Sequence, residues 1–395
     1  MLERKPTDSR SPAKPMQCIV LLPHSYAGRG PAETCVQILR AFPDCNIETT
    51  LFVLRARKPV DSGIKLVEGA GPLLRRLPFR YMQAAATRQL YRKFARAIDK
   101  ALPGTIVWFW PDSPISLVKR AKERGLTTVR ELINSPVAHA KPILDKAYRN
   151  IGLEPGHGIT DSSVSSENEE LFLYDYLFAS NPEVETALVA LGLPVSRILS
   201  TSFGWDRSRF SSSFSDQTSA EDDRLFRVCF VGLMNVRKGL PVLIQAWQMA
   251  GISGELLLAG SIEPALQPMV DAAITQGSVK HVGHVSDVAS LYRKCDAFVF
   301  PTLEEGGPQV TYEAASCGLP VITTPMGAAR LVEDGTTGLV VPAGNVQALA
   351  DAMRRLEADR KLSIKYGLAA RQPAETFEYG NVGRERAELL RRAIS

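Results

Sequence analysis

Two carboxylates in the second half of the chain stand eight positions apart, and the residues between them are suited to holding a ligand. Glu305 follows an apolar run, Gly306 and Gly307 come next, and Glu313 lies in a segment with helical periodicity. Glycines let backbone amides approach a ligand closely, and amides at a helix start bind anions. A carboxylate two turns into that helix can accept two hydrogen bonds from a vicinal diol such as that of a ribose. The pattern predicts a nucleotide-sugar site.

Two neighbouring cations indicate where the diphosphate of such a ligand would lie. Gly232 follows a strand-like run, and Arg237 and Lys238 come just before a predicted helix at 240–250. Cations beside the amides of a helix start form a clamp for a diphosphate. The alternative is that both side chains are simply solvated, and the pair alone does not decide between the two.

Length and composition are those of a soluble protein with two domains, because 395 residues are too many for one core. The net charge of +5 is mild, so we expect no nucleic-acid partner. The six cysteines form no CxxC pair and the five histidines show no ligand spacing, which favours reduced thiols and no metal site. With no long apolar run and no signal peptide, the expected localisation is cytoplasmic.

Short apolar runs alternate with longer amphipathic segments along the whole chain. This alternation predicts parallel α/β sheets, in which ligands bind beyond the carboxyl ends of the strands. The predicted strands are residues 18–22, 48–54, 105–109, 127–131 and 176–179 in the first half, and 227–231, 255–259, 279–282, 297–300, 321–324 and 338–341 in the second.

A polar, serine-rich stretch separates the two halves and predicts a linker. We therefore expect two Rossmann-like, doubly wound domains that face a central cleft. The predicted organisation is a disordered tail (1–15), a first domain (16–210), the linker (211–223), a second domain (224–375) and a C-terminal helix that packs back on the first domain (376–395).

The ordered series of motifs in the second half resembles the donor-binding domain of a known family. The pieces are Val231-Gly with Arg-Lys-Gly239, Leu258-Ala-Gly260, Gly283-His with Asp287, Pro301-Thr with Glu305 and Glu313, Ala315 with Gly-Leu-Pro-Val321, and Gly335 with Gly-Leu-Val340. They cover about residues 227–356 and are similar to the family 4 retaining glycosyltransferases, also described as glycosyl transferases group 1. The resemblance implies the GT-B fold, in which the second domain binds a nucleotide-sugar donor and the first binds the acceptor.

The resemblance also implies roles for single residues. Glu305 is similar to the glutamate beside the transferring sugar, Glu313 to the glutamate that holds the ribose hydroxyls, and Lys238 to the diphosphate-binding lysine. The implied donor contacts are Gly232, Arg237, Lys238, Glu305, Gly306, Gly307, Pro308, Gln309, Val310 and Glu313. Two positions depart from the family pattern: Leu233 replaces a frequent arginine, whose charge Arg237 would supply, and Arg330 replaces a frequent glutamate.

The first half matches the family only loosely. Gly28, Arg29 and Gly30 form a loop that would face the cleft, with a plain turn as the alternative. Family members often have a histidine near the reacting sugar, after a later strand. The candidates here are Glu131, Asn134 and His139, with His24 as a weaker alternative. We assign Asn134 to the cleft and His139 to the catalytic set, with Glu305, Lys238 and Arg237.

The expected activity is that of a hexosyltransferase in polysaccharide or glycoconjugate biosynthesis. The nucleotide-diphosphate sugar is a co-substrate, no further cofactor is expected, and configuration would be retained. The acceptor is a glycan, a lipid-linked molecule or a small molecule. The alternative is a sugar-nucleotide-binding protein with little or no turnover, and a phosphorylase or an epimerase on the same fold is a third interpretation.

The segment from Leu73 to Leu102 carries eight cations and one acid, with aromatic and aliphatic residues interleaved. A segment of this kind can lie on an anionic membrane surface as a peripheral contact. The commoner explanation, which we favour, is a packed helix whose outer face is charged.

Overall fold

Two parallel β-sheets organise the molecule, one in each half of the chain. The computed structural model describes residues 14–71, 79–210 and 225–394, so the predicted linker and most of the predicted tail lie outside the described residues. The strands are β1 (Met16–Tyr26), β2 (Ile47–Ala56), β3 (Ile64–Glu68), β4 (Ile106–Phe109), β5 (Thr127–Leu132), β6 (Tyr176–Ala179), β7 (Ile198–Ser200), β8 (Phe226–Val231), β9 (Gly254–Ala259), β10 (Val279–Gly283), β11 (Ala297–Phe300), β12 (Val321–Thr323) and β13 (Gly338–Val340).

The strand order is that of two doubly wound sheets. The first sheet runs β3-β2-β1-β4-β5-β6-β7 and the second β10-β9-β8-β11-β12-β13, and the paired strands are parallel. In each sheet the order reverses beside the first strand, which leaves a crevice at the carboxyl ends where ligands bind. The two predicted Rossmann-like domains are confirmed.

All eleven predicted strands are present, and the structure adds β3 and β7. Both lie at the edges of the first sheet. Central strands such as β4 and β11 are buried along their whole length and read as apolar runs. β3 instead mixes one buried residue with exposed and half-buried ones, and β7 has only three residues, so neither gives the apolar signal of a central strand.

Helices cover both faces of each sheet. In the first half they are α1 (Gly30–Leu39), α2 (Phe79–Lys100), α3 (Ile115–Glu123), α4 (Val137–Asn150), α5 (Asp161–Leu171), α6 (Pro182–Ala190) and α7 (Arg207–Phe210). In the second half they are α8 (Leu240–Ala250), α9 (Gln267–Thr275), α10 (Val288–Arg293), α11 (Gln309–Ser316), α12 (Pro325–Ala328), α13 (Val346–Ala358), α14 (Arg360–Thr376) and α15 (Tyr379–Ile394).

The last helix returns to the first domain. Tyr379, Val382, Ala387 and Leu390 of α15 lie in the core that covers one face of the first sheet. A side chain at Gly383 would collide with the carbonyl of Ile38, so this glycine lets α15 lie close to α1. The chain passes between the two domains near Trp205 and again near Phe377, and we call this place the crossing. There, Trp205 N donates to Phe377 O and Tyr379 N donates to Trp205 O. The two chain crossings between the domains are therefore hydrogen-bonded to each other.

Candidate active site

A cleft of about 290 Å³ lies between the two domains. Its first-domain wall comes from residues at or after the carboxyl ends of β1, β4 and β5 and from the crossing, namely Gly30, Thr34, Trp110, Ile133, Asn134 and Phe203. The opposite wall is formed by Arg237, Glu305, Gly307 and Gln309. The structure thus brings six of the predicted residues together at the edge where doubly wound sheets bind ligands.

Cations and carboxylates meet on the second-domain wall. Lys238 and Glu305 form an ion pair, and Arg237 Nη1 lies 3.6 Å from Glu305 Oε2. The elements explain this geometry, because the loop that joins β8 to α8 lies beside the loop that follows β11. Gly239 sits against the carbonyl of Pro301, where any side chain would collide. The predicted cation pair and the first glutamate therefore share one small volume.

A further glutamate, Glu304, belongs to this group and was missed by the sequence analysis. Its side chain is only 3% exposed. Oε1 accepts hydrogen bonds from the backbone N (2.8 Å) and Oγ (3.0 Å) of Ser135 in the first domain, and Oε2 lies 3.1 Å from Arg237 Nη1. Arg237 Nη1 also donates to Asn134 Oδ1 at 3.2 Å. Glu304 and Arg237 thus connect the two walls of the cleft.

Lys238 is the most deeply buried of the cleft cations, with 10% of its side chain exposed. Burial lowers the pKa of its ammonium well below the ordinary value, the charge of Arg237 adds to this, and Glu304 opposes it. The contact with Glu305 also favours the protonated form. Lys238 is therefore a buried ammonium with two carboxylates and a guanidinium around it. Its Coulomb interaction with a further anion that enters the cleft would be strong, because water screens charges little at a buried site.

The glycines after Glu305 allow the two domains to approach each other. A side chain at Gly306 would collide with the backbone of Ile133 and Asn134, and one at Gly307 would collide with the ring of Phe203. Gln309 continues this contact, because Nε2 donates to Thr34 Oγ1 (2.8 Å) and Oε1 accepts from Tyr379 OH (2.9 Å). In this structure the close neighbours of the glycine loop are residues of the first domain.

Glu313 is the fifth residue of α11, so it follows the first helical turn and does not lie two turns in, as the sequence predicted. Its side chain makes no hydrogen bond or ion pair within the described residues. Burial raises the pKa of Glu313 to about 7, with Arg209 lowering it and Asp206 raising it. A half-buried carboxylate of this kind gains from a ligand that donates hydrogen bonds to its ionised form.

The remaining predicted residues lie around the cleft or away from it. Gly232 has φ +140° and its carbonyl lies against Gly260. Pro308 occupies the N-cap position of α11 without a side-chain cap, and Val310 O accepts from Tyr292 OH at 3.5 Å. Arg29 is exposed at the start of α1, beside Gly28 with φ +74°. These residues support the loops and do not form part of the cluster at Glu305.

The histidine and glutamate alternatives in the first half separate clearly. His139 lies in the first turn of α4 and is not one of the residues that line the cleft in the described structure. His24 lies 3.4 Å from Asp112. Glu131 is fully buried inside the first domain and pairs with Arg386. Asn134 alone among these candidates reaches the cleft cations.

The two departures from the family pattern have different surroundings. Leu233 is 47% exposed and adds no charge to the cleft. Arg330 pairs with Glu185 of α6, and its Nε donates to Thr201 O at 2.7 Å. Arg330 therefore contacts the first domain at the position where a glutamate is frequent in the family.

Signals for other functions are weak within residues 14–71, 79–210 and 225–394. No group of three or more His, Cys, Asp or Glu side chains there is arranged to hold a metal ion. None of the helices described combines the length and apolar character needed to span a bilayer.

Comparisons with known proteins place this site in a family context. Residues 226–359 match the sequence profile of the family described as Glycosyl transferases group 1. The capsular polysaccharide biosynthesis glycosyltransferase CapM of Staphylococcus aureus is 35% identical over 159 residues, which are 38% of this chain and 41% of CapM. The amylovoran biosynthesis glycosyltransferase AmsK of Erwinia amylovora is 28% identical over 241 residues, 55% of this chain and 58% of AmsK. The chain thus matches about half the length of these curated relatives.

Solved structures share this fold over nearly the whole length of the chain. The crystal structure of Anabaena HepE in complex with UDP and glucose superposes with a TM-score of 0.65 at 17% identity, covering 95% of this chain and all of that one. This likeness confirms the GT-B fold. Residues 226–359 are thus similar to the group 1 glycosyltransferases, and the two relatives are named glycosyltransferases.

Proposed function

We propose that the protein is a glycosyltransferase that moves a hexose from a nucleoside-diphosphate sugar to an acceptor hydroxyl. The observation that carries the proposal is the ion pair of the buried Lys238 with Glu305, which lines one wall of the interdomain cleft together with Arg237. Paired cations at a helix start suit a diphosphate, and a neighbouring carboxylate suits sugar hydroxyls. The motif series and the relatives named above point to the same chemistry.

In this proposal the donor lies against the second domain. Lys238 and Arg237 bind the diphosphate and stabilise the charge that builds on it as it leaves. Glu305 orients the transferring sugar, and the backbone from Gly306 to Val310 borders it. Glu313 accepts the hydrogen bonds of the ribose hydroxyls. The lowered pKa of Lys238 is consistent with this role, because an entering diphosphate would favour its charged form.

The proposed reaction retains configuration at the anomeric carbon. The acceptor oxygen attacks on the face from which the diphosphate departs, so the new C–O bond forms as the sugar–phosphate bond breaks. The acceptor proton passes to an oxygen of the leaving diphosphate. Closure of the cleft excludes water and limits hydrolysis of the donor. His139 stays a candidate for an assisting role, although it is not one of the residues that line the cleft.

The acceptor in this proposal is a carbohydrate or a lipid-linked molecule bound by the first domain. CapM is named for capsular polysaccharide biosynthesis and AmsK for amylovoran biosynthesis, which favours a role in polysaccharide or glycoconjugate assembly. The first-domain wall is rich in apolar groups, with Trp110, Ile133 and Phe203 beside Asn134 and Thr34. Such a wall suits the apolar faces of a sugar ring.

Peripheral membrane contact through α2 is a second proposal about the partner. Met82, Ala86, Leu90, Phe94 and Ile98 of α2 are buried against the first sheet, which supports the packed helix that we favoured. On the outer face Arg88, Arg92 and Arg96 are exposed at four-residue spacing, and repulsion between them favours an anionic surface. Residues 73–78 lie outside the described structure. Absence of co-sedimentation with anionic vesicles at low salt would remove this proposal.

A panel of nucleotides and nucleotide sugars in a thermal-shift assay tests the proposed function. A ligand at one hundred times its Kd stabilises the folded protein by about 2.7 kcal/mol, so the matching donor raises Tm measurably. Turnover is then measured as release of the nucleoside diphosphate, with and without candidate acceptors. Binding without release under any condition would favour the sugar-nucleotide-binding alternative, and no response to any nucleotide would contradict both.

A further inference from the structure

Four cations lie together at the rim of the cleft on the first domain. Arg55 lies near the end of β2, Arg57 and Lys58 follow it, and Arg29 precedes α1. We call these four residues the rim cluster. We propose, on the basis of the proposed glycosyl transfer, that the rim cluster binds a phosphate group carried by the acceptor.

The strand register places these residues beside the cleft loop. Arg55 is the partner of Ser25 in the parallel pairing of β1 with β2, and Arg57 N donates to Tyr26 O at 2.8 Å. The chain that leaves Tyr26 forms the loop of Gly28, Arg29 and Gly30, and Gly30 lines the cleft. The rim cluster therefore occupies the carboxyl edge of the first sheet.

Gly28 brings the Lys58 ammonium onto this loop. A side chain at Gly28 would collide with the end of the Lys58 side chain, and the backbone of Gly28 has φ +74°, which disfavours other residues. The end of the Lys58 side chain thus lies against the loop at Gly28, which is two residues before Gly30. The first amides of α1, which begins at Gly30, add a positive end of the helix dipole to the same region.

The rim cluster has no internal counter-charge. Within the described part of the chain, the side chains of its four residues make no hydrogen bond or ion pair. None of the described acids on the neighbouring segments is paired with the rim cluster: Asp61 pairs with Arg40, Asp112 contacts His24, Glu33 accepts from Gln37, and Glu68 accepts from Ala56 N. Neighbouring like charges repel each other and raise the local positive potential, which attracts an anion.

The donor site does not share this excess of charge. Arg237 and Lys238 on the opposite wall face Glu304 and Glu305, so two cations meet two carboxylates there. A diphosphate at that site would already use the free capacity of Arg237 and Lys238. The unpaired cations of the rim cluster therefore indicate a second anion, and phosphate is a group that arginine and lysine side chains bind well.

The test uses the whole protein saturated with the nucleoside diphosphate that stabilises it most. Binding of glucose 1-phosphate, of farnesyl diphosphate and of glucose is measured by calorimetry. The double variant Arg57→Ala/Lys58→Ala removes half the rim cluster, and Lys361→Ala/Lys365→Ala, two exposed lysines of α14, removes the same net charge elsewhere. The rim variant should raise the Kd of a phosphate-bearing probe about tenfold or more, as expected for lost charged hydrogen bonds, and the control should not.

Each outcome decides the proposal. Binding of glucose 1-phosphate alone assigns a soluble acceptor phosphate, and binding of farnesyl diphosphate alone assigns a lipid-linked one. Either result supports the rim site when the rim variant weakens that binding and the control does not. Equal loss in the two double variants, or no binding of either probe, overturns it. Loss of nucleotide binding in the rim variant assigns the cluster to the donor and also overturns it. Failure of the proposed function is measured separately, since the wild type would then bind no nucleotide or would release no nucleoside diphosphate from any donor.

Discussion

Two groups of buried charges differ in their surroundings, one inside the first domain and one where the domains meet. Arg386 of α15 and Glu131 of β5 are 2.6 Å apart, and neither side chain is exposed. Arg386 also donates to Ser180 Oγ and Ser202 O, both at 2.9 Å. The cleft cluster, which we define as Arg237, Lys238, Glu304 and Glu305, borders a cavity, and its side chains are between 3% and 28% exposed.

The comparison separates charges that hold the structure from charges available to a ligand. Arg386 is enclosed by protein, with its guanidinium 4.8 Å from the centre of the Phe178 ring. Removing either side chain of this pair leaves the charge of the other one buried where water cannot reach it. The cleft cluster can exchange partners when an anion enters, because its cations already share their carboxylates. We therefore expect the enclosed pair to control stability and the cleft cluster to control turnover.

Replacing the enclosed cation should give the largest effect. Arg386→Ala leaves Glu131 buried without its partner, which costs about 3–5 kcal/mol of unfolding free energy. Denaturation followed by tryptophan fluorescence measures this, since Trp108 and Trp110 lie in the same core. Arg392→Ala in the same helix is the control, because its exposed pair with Glu388 is worth about 0–1 kcal/mol. Equal stability of the two variants would contradict the structural role.

Replacing the buried cation of the cleft tests the other side of the comparison. Lys238→Ala should lower kcat by about 10²–10³-fold, the usual result when one group that stabilises leaving charge is removed. Release of nucleoside diphosphate from the matching donor measures the change. Lys361→Ala, an exposed lysine of α14, should leave kcat unchanged. If Lys238→Ala unfolds the protein as Arg386→Ala does, the distinction between the two groups is wrong.

The sequence predicted one of these groups far better than the other. Lys238 and Glu305 belong to short motifs that follow strands, so parallel-sheet geometry brings them to one edge. The partners Arg386 and Glu131 are 255 positions apart, and no local pattern connects a C-terminal helix to a strand of the first sheet. Glu131 even stood among the cleft candidates, because position after a strand does not show which way a side chain points.

The same limit explains Glu304 and the edge strands. Glu304 and Glu305 are adjacent in sequence, and the motif identified only the second. The structure turns Glu304 toward Ser135, a contact between domains that sequence spacing does not encode. β3 mixes three apolar residues with two charged ones and β7 has only three residues, so neither gives the continuous apolar run by which the central strands were recognised. Predictions succeeded where one residue and its own loop decide the geometry, and they failed where a distant element does.

A carboxylate outside the cleft cluster should show a smaller and pH-dependent effect. Glu313→Gln removes an ionised acceptor and should weaken nucleotide binding at pH 8 by about 1.5–3 kcal/mol. In the wild type the pKa of Glu313 is about 7, so affinity should increase by up to about tenfold per pH unit as pH rises toward 7 and then level off. Calorimetric titrations between pH 5.5 and about 8.5 measure both.

The same shift has a consequence for the free protein. Because the pKa of Glu313 is raised on folding from an ordinary value of 4.5, its contribution to stability is present below about pH 4.5 and is lost as pH rises to about 7. Glu313→Gln should remove this component from the pH profile of Tm, while the titration of the nucleotide phosphate still affects binding in both proteins. An unchanged pH profile of affinity in the variant would exclude Glu313 from the ribose site.

The smallest effect is expected at an ion pair at the edge of the contact between the two domains. Arg330 and Glu185 form a partly exposed ion pair between the domains, and such pairs are worth about 0–1 kcal/mol. Arg330→Glu places two carboxylates together and should raise the donor KM by less than about fivefold. The swap Arg330→Glu/Glu185→Arg should recover much of this loss. If Arg330→Glu instead increases kcat, the side chain at position 330 faces the sugar. The charged residues that act on the donor would then include position 330 as well as the cleft cluster.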